Sequence, residues 1–101
     1  MKKQLSVLAM SVLACFALPA HAADADAAQA LAKKSDCMKC HSVSAKKDGP
    51  SFKETAAKYK GQADAEQKLT THLTTKPDVH ANVKTKDANE VKNLVQWILS
   101  Q

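Results

Sequence analysis

Two cysteines separated by two residues, with a histidine directly after the second, constrain this chain more than any other feature. The five residues are Cys37-Met38-Lys39-Cys40-His41. One helical turn with this spacing presents both thiols side by side and brings an imidazole next to them. A c-type haem uses these groups, because its vinyl side chains take up two thiols and its iron takes one imidazole. The motif therefore predicts one haem c, attached covalently through Cys37 and Cys40, with His41 as its proximal axial ligand.

Three other uses of closely spaced cysteines remain open at this point. A redox-active Cys-x-x-Cys pair is expected within a strand-helix-strand pattern, and no strand-like alternation flanks the motif. A zinc site needs four ligands, and the chain beyond the motif offers only His72 and His80, eight residues apart. A disulfide between Cys37 and Cys40 is strained at so short a separation.

The first 22 residues have the pattern of an export signal. Lys2 and Lys3 form a basic start, residues 5–18 are apolar, and a small-x-small cleavage site ends at Ala22. We predict that cleavage after Ala22 removes residues 1–22 as a signal peptide and delivers the protein to the periplasm. An oxidising compartment normally pairs cysteines as disulfides, so covalent haem attachment gives an exported chain another use for its thiols.

The predicted mature domain, residues 23–101, is small. Removing 22 residues from a chain of 101 leaves 79, a size at which a core made only of side chains is marginal. A buried porphyrin supplies the missing apolar surface, so we expect the cofactor to be part of the fold. A lipoprotein signal ending at Cys15 is the alternative to the predicted cleavage.

The charge of the mature domain indicates which partners to expect. Loss of Lys2 and Lys3 lowers the formal net charge from +5 to +3. The remaining lysines are spread along the chain, which is unlike the concentrated basic and aromatic stripe of nucleic-acid-binding proteins. We expect a monomer that binds no nucleic acid and no small-molecule substrate. Its expected partners are periplasmic or membrane-bound redox proteins, with Lys39, Lys46 and Lys47 as candidates for steering an acidic partner.

The rest of the mature domain predicts an all-α fold. Helix signals occur over residues 25–35, 51–60, 63–74 and from Asp87 onwards. The expected inner face of the first helix comprises Ala27, Ala30, Leu31 and Lys34.

The last helix has the clearest pattern. Asp87 and Glu90 have the spacing of a capping box. Trp97 lies beside the apolar stripe, where its ring is expected to cover a crossing with the first helix. The stripe itself comprises Val91, Leu94, Val95, Ile98 and Leu99.

The order of these features resembles the class I (monohaem) cytochromes c, in particular the small bacterial periplasmic ones. This resemblance implies a small helical domain wrapped around one covalent haem, with the first and last helices crossing near it. It also implies that the carbonyl of Pro50 holds the outer nitrogen of His41. Besides the haem motif, the matching stretches are Leu31-Ala32-Lys33-Lys34, Gly49-Pro50-Ser51-Phe52, Tyr59-Lys60-Gly61 and Val95-Gln96-Trp97-Ile98-Leu99.

One departure from this family concerns the sixth iron ligand, which is usually a methionine in the loop before the last helix. This chain has no methionine there, since its three are Met1, Met10 and Met38. His80 lies close to the family's methionine position and is the predicted sixth ligand. The alternatives are His72, Asn82 and an open or weakly ligated iron.

Two functions follow from these alternatives. Ligation by two histidines predicts an electron carrier of low potential, because methionine is the axial ligand that raises the potential. An open or displaceable sixth position predicts a haem-based gas-binding or sensor protein. We expect no enzymatic activity, since Asp87 and Glu90, the one acidic pair at helical spacing, are explained as a helix cap.

Overall fold

The structure is a computed structural model, and it describes residues 23–101. The predicted signal peptide, its cleavage site and Cys15 lie outside the described residues. Within residues 23–101 the secondary structure is helical and contains no strand, which confirms the predicted fold class. None of the helices in this range is long and apolar enough to cross a membrane. The elements are α1 (Ala25–Lys34), a short 3-10 helix (Cys37–Lys39), α2 (Phe52–Tyr59), α3 (Ala65–Thr74) and α4 (Ala88–Leu99).

Helix α4 is the centre of the fold, and α1, α2 and α3 all pack against it. Leu94 and Val95 are fully buried, and Val91 and Ile98 are nearly so. Burial of one such side chain contributes roughly 1.5–3 kcal/mol. The apolar stripe of α4 therefore provides the surface on which the other helices assemble, and the crossing of α1 with α4 agrees with the resemblance.

Polar side chains fix where the helices begin. Asp24 caps α1 by accepting a hydrogen bond from the backbone N–H of Ala27 at 3.1 Å. Asn93 of α4 accepts from the backbone N–H of Asp24 at 2.8 Å and donates to its carbonyl at 2.9 Å, which ties the start of α1 to α4. Ser51 and Glu54 form a complete capping box at α2.

The predicted capping box of α4 is only half formed. The Asp87 side chain accepts from the backbone N–H groups of Asn89 and Glu90, as expected of a cap. The Glu90 carboxylate instead accepts a hydrogen bond from the hydroxyl of Thr85. Thr85 also accepts from the backbone N–H of Asp87, so it takes the place of the reciprocal arm.

The predicted inner face of α1 was wrong except at Leu31. Ala28, Leu31 and Ala32 are buried, whereas Ala27, Ala30 and Lys34 are exposed. The helix is so rich in alanine that the sequence provides little contrast between its faces. Packing of the helix on α4 decides which alanines are buried.

The aromatic residues join α4 to α2. Trp97 is buried, and its ring meets that of Phe52 edge to face at 5.4 Å between centroids. The structure thus shows the Trp97 ring against α2, where the sequence indicated a crossing with α1. Gly61 follows α2 with a φ of 79°, a left-handed conformation that suits glycine at the end of a helix.

Candidate haem site

The attachment motif lies in one tight turn between α1 and α2. The backbone N–H groups of Cys40 and His41 both donate to the carbonyl of Cys37, at 3.2 and 2.9 Å. The 3-10 helix spans Cys37–Lys39, and the shared carbonyl of Cys37 brings the following Cys40 and His41 close to it. The two thiols are free of any disulfide.

The surroundings of Cys37 do not favour thiol–disulfide exchange. Its side chain is partly buried, whereas Cys40 is exposed. Burial raises the pKa of the Cys37 thiol, and the nearby Asp36 carboxylate adds to the effect. Because the reactive form in exchange is the thiolate, this shift opposes a redox role for the pair. No cluster of three or more potential metal-ligating side chains occurs among residues 23–101, which leaves the zinc alternative without support.

His41 is held firmly on the α2 side of the motif. Its Nδ1 lies 2.7 Å from the carbonyl oxygen of Pro50. Since a carbonyl only accepts hydrogen bonds, this contact assigns the ring proton to Nδ1 and leaves Nε2 with a free lone pair. The imidazole also stacks on the ring of Phe52, with 5.6 Å between centroids.

Gly49 makes this position of His41 sterically allowed. A Cβ atom at Gly49 would lie 2.7 Å from the Nδ1 of His41 and closer still to its Cε1. The backbone N–H of Gly49 donates to the carbonyl of Cys40 at 2.8 Å, so the loop folds back over the motif. Gly49 was noted in the sequence only as part of a matching stretch. Its close approach to the His41 ring was not predicted.

His80 faces His41 from the loop between α3 and α4. The two rings are 5.9 Å apart between centroids. The Nδ1 of His80 lies 2.8 Å from the carbonyl oxygen of Ala81, so its Nε2 is again the nitrogen with a free lone pair. Both histidines therefore have the tautomer that suits a metal ligand oriented by a backbone carbonyl.

His72 lies directly behind His80, with 4.9 Å between ring centroids. It projects from α3 between the buried Leu69 and Leu73 and is itself partly exposed. Burial lowers the pKa of His72, and the charges of His80 and nearby lysines lower it further. Its position is that of a packing neighbour of His80 in the same cleft.

Cys37 and the three histidines line one cleft. It is bounded by the attachment turn, α2, α3, α4 and the loop that carries His80. Its floor is apolar, and polar side chains of α2 line part of it. Cys40 and the exposed Asn82, the third candidate ligand, line a smaller adjoining cleft that shares His41 and His80 with the first. The lining residues are Cys37, His41, Pro50, Phe52, Glu54, Thr55, Lys58, Tyr59, Leu69, His72, Leu73, His80, Leu94 and Ile98.

The donor set and the shape of this cleft fit a haem. Two free thiols lie in the attachment turn, two imidazoles with free Nε2 atoms face one another, and Leu69, Leu73 and Ile98 supply apolar walls. Glu54, Thr55 and Lys58 also line the cleft and were not predicted. Of these, only Thr55 lies near the helix face defined by Phe52 and Tyr59, so only Thr55 could have been found from the α2 pattern.

Comparison with known proteins agrees with this geometry. The family model described as "Cytochrome c" matches residues 25–101. The chain belongs to the cytochrome c family. It carries one haem c, bound covalently through the cysteines of the Cys-x-x-Cys-His motif, and membership of this family implies electron transfer.

The similar proteins are small bacterial cytochromes. Cytochrome c-551 of Allochromatium vinosum is 38% identical over 80 residues, which cover 68% of this chain and 80% of the relative. Cytochrome c-552 of Hydrogenobacter thermophilus is 39% identical over 77 residues, or 71% of this chain and 79% of the relative. The crystal structure of the class 1 cytochrome MtoD from Sideroxydans lithotrophicus ES-1 matches with a TM-score of 0.73 and 48% identity. That match covers 78% of this chain and 97% of MtoD.

Replacing Gly49 by alanine tests how tightly His41 is held in this cytochrome c. The added methyl group must displace the imidazole, so Gly49→Ala is expected to lower the free energy of unfolding by about 1–3 kcal/mol. It should also change the absorption spectrum of the haem. The matched control is Gly61→Ala. A Cβ atom at Gly61 would have no neighbour within 4 Å. Because Gly61 has a positive φ, this substitution costs about 1–2 kcal/mol in backbone strain. A control that alters the spectrum as much as Gly49→Ala would contradict the prediction.

Proposed function

We propose that this cytochrome c is an exported electron carrier whose haem iron is ligated by His41 and His80. One observation carries the proposal: the two imidazoles line the same cleft, with their ring centroids 5.9 Å apart. Each of them has its Nδ1 on a backbone carbonyl, at 2.7 and 2.8 Å. Both Nε2 atoms are therefore the available ligand atoms, and the two carbonyls orient the rings.

The placement of the other candidates supports His80. Met38 belongs to the attachment turn and packs against the core cluster, so it is not available on the opposite side of the cleft. His72 projects from α3, on the helix face that carries the buried Leu69 and Leu73, and its ring centroid lies 4.9 Å from that of His80. Of the two histidines beyond the motif, His80 has its ring against His41 and its Nδ1 occupied by a carbonyl.

Ligation by two histidines supports a carrier of low potential. The haem supplies one-electron exchange at its iron, and its axial ligands tune the potential over a span of roughly 0.8 V. Imidazole donates more strongly to ferric iron than the thioether of methionine does, so histidine in the sixth position lowers the potential. The hydrogen bonds from Nδ1 to Pro50 and Ala81 add to the basicity of both imidazoles and act in the same direction.

We also propose that the mature protein is a periplasmic monomer that docks acidic redox proteins. Lys39, Lys46 and Lys47 are exposed beside the attachment turn, and Lys47 donates to the carbonyl of Met38 at 2.8 Å. Such charges steer oppositely charged partners.

We expect light scattering to give the mass of one chain. We also expect the rate of electron transfer to an acidic redox protein to fall as the salt concentration rises. A dimer, or rates independent of salt, would contradict this part of the proposal.

Export predicts the N-terminus of the purified protein. Cleavage after Ala22 leaves a chain that begins at Ala23. The intact mass of protein recovered from the periplasm should equal residues 23–101 plus one haem. A lipidated N-terminus at Cys15, or retention of residues 1–22, would show that the signal is processed differently.

Substitution of His80 tests the ligand assignment. His80→Ala should convert a low-spin ferric spectrum to a high-spin one and allow rapid carbon monoxide binding after reduction. His80→Met should raise the potential by on the order of 0.1 V or more, a part of the roughly 0.8 V that axial ligands span. It should also produce the weak far-red band of methionine ligation.

The matched control for this test is His72→Ala, which removes the other histidine of the cleft and should leave the spectrum low spin. If His80→Ala left the spectrum unchanged and His72→Ala altered it, His72 would be the ligand instead. Rapid and complete carbon monoxide binding by the parent protein would favour a gas-binding function over electron transfer.

A further inference from the structure

We propose that Ser35 is a positioning residue that keeps His80 on the iron, by tying the loop that carries His80 to the haem attachment segment. This loop, residues 75–87 between α3 and α4, is called the distal loop below. The inference rests on the proposed ligation by His80. It concerns a residue that lies outside the haem motif and acts through the backbone of Lys84.

The central contact is a hydrogen bond across 49 positions of sequence. The backbone N–H of Lys84 donates to the Ser35 hydroxyl at 2.9 Å. Ser35 is only 7% exposed, and it is one of two buried polar residues in the described part of the chain. The hydroxyl is buried and Lys84 is exposed, so the hydrogen bond is partly shielded from water and restrains the distal loop more than a fully exposed contact does.

Asp36 adds a second and weaker contact at the same place. Its carboxylate lies 2.7 Å from the Lys84 ammonium and 3.5 Å from that of Lys39. A hydrogen bond from Lys84, and then the charge of Lys39, lowers the pKa of Asp36. The Asp36 and Lys84 side chains are about half exposed and that of Lys39 more so, and ion pairs of this kind contribute little to stability. The Ser35 hydroxyl is therefore the principal restraint and the Asp36 carboxylate an auxiliary one.

The distal loop divides into two parts on either side of His80. Before it, the backbone N–H groups of Val79 and His80 both donate to the carbonyl of Lys76, at 3.0 and 2.9 Å, which closes a local turn. After it, Val83 is buried and its N–H donates to the carbonyl of Leu73 at 2.9 Å. The bond from the Lys84 backbone to Ser35, together with the ion pair from the Lys84 side chain to Asp36, joins this second part to the attachment segment.

This arrangement links the two sides of the iron through the backbone. Ser35 ends α1 and lies two residues before Cys37, which is fixed to the porphyrin. Lys84 lies four residues after His80. When the bond between them is intact, the porphyrin and its sixth ligand are held by one framework. When it is lost, the distal loop opens more often and His80 leaves the iron more often.

Ligand exchange in the holoprotein measures this opening. Carbon monoxide enters the reduced iron only while His80 is away, so its binding rate reports the fraction of open loop. We expect Ser35→Ala to raise this rate roughly tenfold, as loss of one partly buried hydrogen bond predicts. Asp36→Asn should raise it by a factor of about two, as expected of an exposed ion pair. The resting spectrum of both variants should stay low spin.

Ser51→Ala is the matched control. Ser51 is the other buried serine, and it caps α2 without contacting the distal loop. Ser51→Ala should lower the melting temperature about as much as Ser35→Ala and should change the rate of carbon monoxide binding by less than twofold. A second control, Asp64→Asn, breaks the exposed pair with Lys68 at 3.4 Å and should leave the rate unchanged.

Three results would overturn the proposal. The first is a Ser35→Ala rate within twofold of the parent, and the second is an equal acceleration by Ser51→Ala, which would indicate general loss of stability. The third is an acceleration by Ser35→Ala that persists in a His80→Ala background, since Ser35 acts through His80. If His80 is not the ligand, His80→Ala alone leaves the absorption spectrum the same as that of the parent protein. This result distinguishes failure of the ligand assignment from failure of the Ser35 proposal.

Discussion

The burial of one face of α4 is the interaction on which the rest of this cytochrome depends. Leu94 and Val95 are fully buried there, and α1, α2 and α3 meet on the same surface. Each of these helices contributes to the haem cleft: α1 leads into the attachment turn, α2 lines the cleft, and α3 leads into the loop that bears His80. The positions of the two imidazoles are therefore consequences of how three helices pack on a fourth.

Much of this fold could be predicted, because its signals are local. Side-chain caps at Asp24, Ser51 and Asp87 fix where three helices begin, and each cap depends only on neighbours a few residues away. The apolar period of α4 is equally local. The inner face of α1 could not be predicted in the same way, because alanine on every side of a helix leaves the choice of face to a partner that is distant in sequence. The contact of Trp97 with Phe52 is of the same long-range kind.

The candidate site likewise has features that local sequence patterns predict and features that depend on long-range contacts. The spacing of Cys37, Cys40 and His41 predicts covalent haem attachment, because these residues lie together in one short segment. His80 was predicted from its distance to the last helix. The close approach of Gly49 to His41, the contact between His72 and His80 and the bond from Lys84 to Ser35 depend on loops brought together by the helices. No local pattern encodes such contacts, so the precision with which the ligands are held emerges only from the structure.

We propose that imidazoles occupy both axial positions of the haem iron. Electron paramagnetic resonance of the oxidised, full-length mature protein tests it most directly, because the signal reports the spin state and the axial ligands without any substitution. The account predicts a low-spin ferric signal of the type given by two imidazoles, with little or no high-spin component at neutral pH. A predominantly high-spin signal, from an iron with an open or water-ligated sixth position, would contradict it.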